Sequence, residues 1–183
     1  SEYVLQFKIL CLPLPIIKTA TRAPASQISW DMQKILLLTN DIAQVPMLAR
    51  WVEELGQELQ LPLDVVFQLN LALEEAVVNV MNYAYPGEKG KPVTVTAEFI
   101  ASKGGEERIL FVLTDEGVPF DPTLAAEPDV TLPAEQRSIG GLGIFLVQRL
   151  MENVTYERKG RQNVLSMLYC VHHRGEAFVT ENI

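Results

Sequence analysis

Asp64-Val65-Val66-Phe67-Gln68-Leu69-Asn70-Leu71-Ala72-Leu73-Glu74-Glu75-Ala76-Val77-Val78-Asn79 is the stretch on which the fold turns. Val65, Leu69, Ala72, Ala76 and Val80 recur at spacings of three and four, one stripe of an α-helix. Leu73 and Val77 widen the stripe, so a mostly buried helix is expected from Asp64 to about Ala84. Pro86-Gly87 stops it. Glu75 and Asn79 lie four apart and share a helix face, with Glu74 and Asn82 beside them. A carboxylate and an amide against an apolar stripe need partners. A Mg²⁺ ion with its waters and phosphate oxygens would supply them, because Mg²⁺ prefers oxygen ligands and keeps several waters. The same residues also fit the polar edge of an ordinary amphipathic helix, and taken alone that plainer reading is favoured.

Upstream, Lys34 to Thr39 reads as a short strand. Asn40 and Asp41 are helix-capping types and Pro46 suits a first turn. A helix is expected from Val45 to about Gln60, with Leu48, Trp51, Val52, Leu55 and Leu59 at helical spacing. Downstream, Pro92 to Ala101 alternates apolar and polar residues, and Arg108 to Thr114 is a second strand across a Lys103-Gly104-Gly105-Glu106 turn. Residues 116 to 140 show no clear period and read as a long loop, a kind of segment that in a compact domain is usually functional or mobile. Gly141 to Met151 is a helix. Strands at Asn153 to Arg158 and Asn163 to Val171 close the chain around Lys159-Gly160-Arg161. The order β-α-α-β-β-loop-α-β-β predicts an α+β fold. It would be a two-layer α/β sandwich, its sheet mixed but mainly antiparallel, with the helices on one face.

Two further motifs flank that loop. Thr114-Asp115-Glu116-Gly117-Val118-Pro119-Phe120-Asp121 ends an apolar strand. A carboxylate there can accept a hydrogen bond from an exocyclic amine such as adenine N6, and Gly117 lets backbone approach a flat ring. Asp, Gly and Pro are equally ordinary turn residues, and alone that is the favoured reading. Gly140-Gly141-Leu142-Gly143-Ile144-Phe145-Leu146-Val147 opens directly into a helix. Free N–H groups and the helix dipole make such a start an anion site. It is neither a P-loop nor a G-x-G-x-x-G after a strand.

Bulk properties narrow the classes. The chain has 183 residues, 48% hydrophobic and 21% charged, enough for one domain with a full core. Its net charge of −8 disfavours direct nucleic-acid binding and suits a protein or metal–nucleotide partner. Cys11 and Cys170 make no C-x-x-C pair and read as reduced thiols of a cytoplasmic protein. No apolar run reaches the roughly 18 to 20 residues of a membrane span, so no membrane role is expected. Residues 1–31 read as an N-terminal arm docking on a strand edge or a neighbouring copy. Residues 32–175 form the domain and 176–183 a tail. Val4 to Ile17 is apolar, but Lys8 interrupts it and no basic cluster precedes it, against a signal peptide. Adjacent His172 and His173 read as solvated.

Taken in order, the three motifs resemble the nucleotide-binding boxes of the gyrase, chaperone, histidine-kinase and mismatch-repair ATPase superfamily, over Leu69 to Tyr169. Within it, E-A-V-V-N followed by Tyr83-Ala84-Tyr85, D-E-G-V-P-F-D-P and G-G-L-G-I-F-L-V resemble the bacterial anti-sigma-factor serine/threonine kinases. The resemblance implies ATP and Mg²⁺ as cofactors. It implies a STAS-type anti-anti-sigma protein as phosphoacceptor, a sigma factor as second partner, and a possible homodimer. It implies that Asn79 ligates Mg²⁺, with Asn82 in the nucleotide site. Glu75 would be the general base, Asp115 would bind adenine N6, and Gly117 would pack near the base. Gly141, Leu142 and Gly143 would wrap the phosphates, and residues 121 to 139 would be the ATP lid. Arg137 in that stretch could reach a phosphate, a role the resemblance itself does not assign. Pro119, where many relatives carry glycine, implies a stiffer loop. Asn82-Tyr83 replaces a His-containing version and leaves a second acid–base helper unassigned. The rival expectation is a non-catalytic, ATP-gated module that sequesters a sigma factor or another regulator. Glu75 separates the two, because a pure binder needs no base there.

Overall fold

The computed structural model describes residues 33–101, 107–124 and 141–171. The arm, the tail, both domain boundaries, the turn at 102–106, the lid residues 125–140 with Arg137, and both histidines lie outside the described residues.

Five strands and three α-helices alternate in the expected order: β1 (Gln33–Thr39), α1 (Val45–Glu58), α2 (Leu63–Tyr83), β2 (Pro92–Ala101), β3 (Glu107–Asp115), α3 (Gly141–Leu150), β4 (Asn153–Lys159) and β5 (Gln162–Val171). The strands form one sheet in the order β1-β2-β3-β5-β4. All four pairings are antiparallel. The sheet is therefore antiparallel among the described residues rather than mixed. The reason is topological: β4 returns after α3 in the same direction as β3, but β5 lies between them, so the two never pair.

Alternation along the strands decides which face carries the helices. Val93, Val95, Ala97 and Phe99 of β2, Ile109, Phe111 and Leu113 of β3, and Met167, Tyr169 and Val171 of β5 are buried. They form the core with Trp51, Leu69, Leu73, Val77 and Val147 from the helices. The opposite face carries no helix among the described residues.

Local chemistry sets the helix ends. Asp41 Oδ1 accepts from Ala43 N at 3.0 Å and caps a short 3-10 turn before α1. Asn40 serves differently from the expected cap. Its Nδ2 donates to Glu88 O at 2.7 Å and its Oδ1 accepts from Lys91 N at 2.8 Å, tying β1 to the loop after α2. The first helix stops at Glu58, two residues short of the expected Gln60, because Gln60 turns left-handed at φ 53°. Leu61 N then donates to Gly56 O at 2.8 Å and Gln60 N to Gln57 O at 3.2 Å, the Schellman pattern with glutamine where glycine is usual.

Candidate functional site

Between α2, α3 and the strand ends lies a cavity of about 470 Å³, within the usual range of ligand pockets. The α2 stripe supplies Ala76, Asn79, Val80 and Tyr83, α3 supplies Ile144 and Val147, and the sheet supplies Leu113, Asp115, Asn163 and Leu165. The walls are mostly apolar, with polar groups concentrated near the strand ends and on α2. That suits a flat heterocycle held at one edge.

Asp115 is 5% exposed. Its Oδ1 accepts from Gly117 N at 2.8 Å and from Asn163 Nδ2 at 2.8 Å. Neither bond engages Oδ2, so this buried carboxylate keeps an acceptor for a donor entering the cavity that it lines.

Asn163, 6% exposed, fixes that orientation. Its Oδ1 accepts from Arg158 Nη1 at 2.6 Å and from Tyr156 OH at 2.8 Å. Its Nδ2 donates to Asp115 and to Val118 O at 3.1 Å. Both acceptor sites and both donor hydrogens are used, so only one amide orientation fits. Arg158 Nη1 also donates to Gly117 O at 3.0 Å. Tyr85 clamps the other side. Its hydroxyl accepts from Glu116 N at 2.7 Å and donates to Pro92 O at 3.1 Å, and burial pushes its phenol pKa up.

The three sequence motifs converge. Asn79 and Asp115 line the same cavity. Gly143, in the first turn of α3, lies against Glu75: a methyl group on Gly143 would collide with Glu75 Oε2 and come within 3.1 Å of its carboxyl carbon. The carboxylate thus sits at the helix end where backbone N–H groups are free and the dipole favours negative charge. Gly141 and Leu142 open that same turn.

Two residues fall elsewhere. Gly117 does not line the cavity. Its Cα packs on Ala84 at the end of α2, where a methyl group would strike Ala84 O, and Val118 N donates to Ala84 O at 2.8 Å. The close approach that requires glycine is to the backbone of Ala84. Asn82 is exposed and outside the cavity wall, about 100° round the helix from Tyr83 and about 60° from Asn79, on the side away from Val80. Asn163, Arg158 and Tyr156 were not anticipated. Their signal was an asparagine breaking the otherwise apolar inward row of β5, cross-strand from both Asp115 and Arg158.

No cluster of three His, Cys, Asp or Glu able to hold a metal occurs among the described residues. Asn79 on the cavity wall offers one amide oxygen, a donor type that a hard ion such as Mg²⁺ accepts alongside water and ligand oxygens. No described helix is long and apolar enough to cross a membrane.

An antiparallel sheet layered by helices, with a strand-end carboxylate and a glycine-led helix facing one pocket, defines a nucleotide-binding ATPase domain. The chain belongs to the histidine kinase-like ATPase domain family, which matches residues 38–169. Among its relatives, the serine-protein kinase RsbW of Listeria monocytogenes is 32% identical over 95 residues, covering 50% of this chain and 57% of that protein. RsbW of Bacillus pumilus is 33% identical over 90 residues, 47% of this chain and 54% of that protein. The serine/threonine-protein kinase BtrW of Bordetella bronchiseptica is 23% identical over 117 residues, 64% and 79%. The chain thus spans a little over half the length of these RsbW relatives.

Proposed function

We propose that the chain is an ATP- and Mg²⁺-dependent serine/threonine protein kinase of the anti-sigma type, acting on a STAS-type anti-anti-sigma protein and holding a sigma factor as its alternative partner. The observation that carries this reading is the convergence of Asn79 and Asp115 on one cavity while the Glu75 carboxylate meets the start of α3. The kinase names of RsbW and BtrW support it.

The residues fit the nucleotide. Oδ2 of Asp115 would accept from the adenine amine, Leu113, Ile144 and Leu165 would pack on the ring, and the N–H groups opening α3 would hold phosphate oxygens. Asn79 would hold magnesium, which, when bound, neutralises phosphate charge. Glu75 would take the proton from the attacking hydroxyl of the partner's serine or threonine. Gly143 leaves that carboxylate the room it needs.

Incubation with labelled ATP, Mg²⁺ and candidate small partners tests the reading. Label should appear on a serine or threonine of one partner. Glu75→Gln should keep nucleotide binding and suppress transfer. An ATP-dependent complex without label would replace the kinase by a binding module, and absence of nucleotide binding at millimolar concentration would remove both.

A further inference from the structure

A carboxylate does not by itself tell adenine from guanine. Adenine offers it one donor group, the N6 amine. Guanine offers two side by side, N1–H and the N2 amine, and a carboxylate with both oxygens open can accept both. An unoccupied Asp115 would therefore hold guanine by a pair of bonds and adenine by one. Asp115 is not unoccupied. Its Oδ1 accepts from Gly117 N and from Asn163 Nδ2, each at 2.8 Å, and two donors use both lone pairs of a carboxyl oxygen. Neither bond engages Oδ2.

The Asn163 side chain lines the cavity together with Asp115, and its amide is held in one sense. Turned over, it would aim its NH₂ at Arg158, which now donates to Oδ1 from Nη1 at 2.6 Å and has no acceptor to offer. Tyr156 OH donates to the same oxygen at 2.8 Å, and the second amide hydrogen goes to Val118 O at 3.1 Å. Every hydrogen-bonding site of Asn163 is thus spent inside the protein, so it acts on a base only through Asp115.

We propose that Asn163 is a positioning residue that makes the pocket selective for adenine over guanine nucleotides, by keeping Oδ1 of Asp115 occupied. The proposal rests on the reading of the cavity as an ATP site. Guanine would bring two donors to the one oxygen left open. Its 2-amino group would then be buried without an acceptor, which is costly. Inosine keeps N1–H and lacks the 2-amino group, so the comparison of guanine with inosine isolates the second donor.

Titration calorimetry of the full chain with Mg²⁺ and ATP, GTP or ITP tests this. The unsubstituted protein should bind GTP roughly tenfold more weakly than ATP and no more tightly than ITP. Asn163→Ala opens a lone pair of Oδ1 at the cavity wall and should raise the affinity for GTP relative to ITP at least about tenfold. A general loosening of the pocket would move GTP and ITP together, so an unchanged ratio in a folded variant overturns the proposal while ATP binding by the unsubstituted protein leaves the site reading intact. Binding of GTP by the unsubstituted protein as tight as that of ATP, or tighter than that of ITP, overturns it without recourse to the variant. Absence of binding by all three nucleotides removes the site reading and the proposal with it.

Discussion

Asp115→Asn changes one atom's chemistry and leaves the packing alone, so its outcome follows from the hydrogen bonds around it. Gly117 N and Asn163 Nδ2 both donate to Oδ1, each at 2.8 Å. An asparagine here must turn its oxygen to those donors, and its NH₂ then replaces Oδ2 toward the cavity. The adenine amine, itself a donor, would meet a donor. Loss of one hydrogen bond to a charged acceptor costs about 1.5 to 3 kcal/mol, a fall in ATP affinity of roughly 10- to 150-fold. The facing donors make this a lower bound. Inosine triphosphate carries a carbonyl oxygen in place of the amine, so its affinity relative to ATP should rise by at least the same factor. Both internal bonds survive, so Tm should move by less than about 4 °C, the shift of roughly 1 kcal/mol in a domain of this size. Titration calorimetry of both nucleotides with Mg²⁺ reads the ratio. An unchanged ratio with an intact fold would refute the assignment of Asp115 to the purine edge.

Asn163→Ala strips one bond from Asp115, the donor from Val118 O, and an acceptor from both Arg158 and Tyr156. It should cost about 2 to 3 kcal/mol, a Tm drop of roughly 4 to 12 °C by calorimetry, and should weaken ATP binding as well. The two site glycines should separate. Gly117→Ala drives a methyl group into Ala84 O, which is backbone and cannot yield, so stability falls by about 1 to 3 kcal/mol or more. Gly143→Ala meets the mobile end of Glu75, so Tm holds while phosphotransfer to the partner drops. Alkaline pH should destabilise the fold. Burial raises the phenol pKa of Tyr85 and Tyr169 above 10.0, so the unfolded chain loses those protons first. Stability is full below pH 10 and falls as pH rises through the raised values. Urea midpoints across that window check it, and Tyr85→Phe with Tyr169→Phe should flatten the slope.

The layers of the fold were legible because each element carries its own period. The helical stripe of Val65, Leu69, Ala72 and Ala76 and the alternation of Val93, Val95, Ala97 and Phe99 point to the same core, and those residues are buried in it. Pairing order was less legible. Insertion of β5 between β3 and β4 depends on which strand edge is left open, and no local spacing records that. The end of α1 was misjudged by two residues for a similar reason. Leu59 keeps the apolar period, but a left-handed Gln60 closes the helix by a backbone pattern that the side chain does not announce.

At the site, residues whose geometry is set within one helix were readable, and those set by cross-strand contact were not. Glu75 and Asn79 had to share a face of α2 whatever the fold. Gly117 was readable as a residue needing close approach, but what approaches it is Ala84, a neighbour supplied only by the docking of the loop on α2. Asn163 shows the limit most clearly, being 48 residues from Asp115 and five from Arg158, yet bonded to both. An inward-facing asparagine in β5 is a cost in an apolar row unless every polar atom is met. Here all are met, and one of the bonds that satisfy it engages Oδ1 of Asp115 and not Oδ2. The buried polar cluster at the strand ends is thus sound as structure only in the orientation that also leaves Asp115 Oδ2 outside the bonds from Gly117 and Asn163.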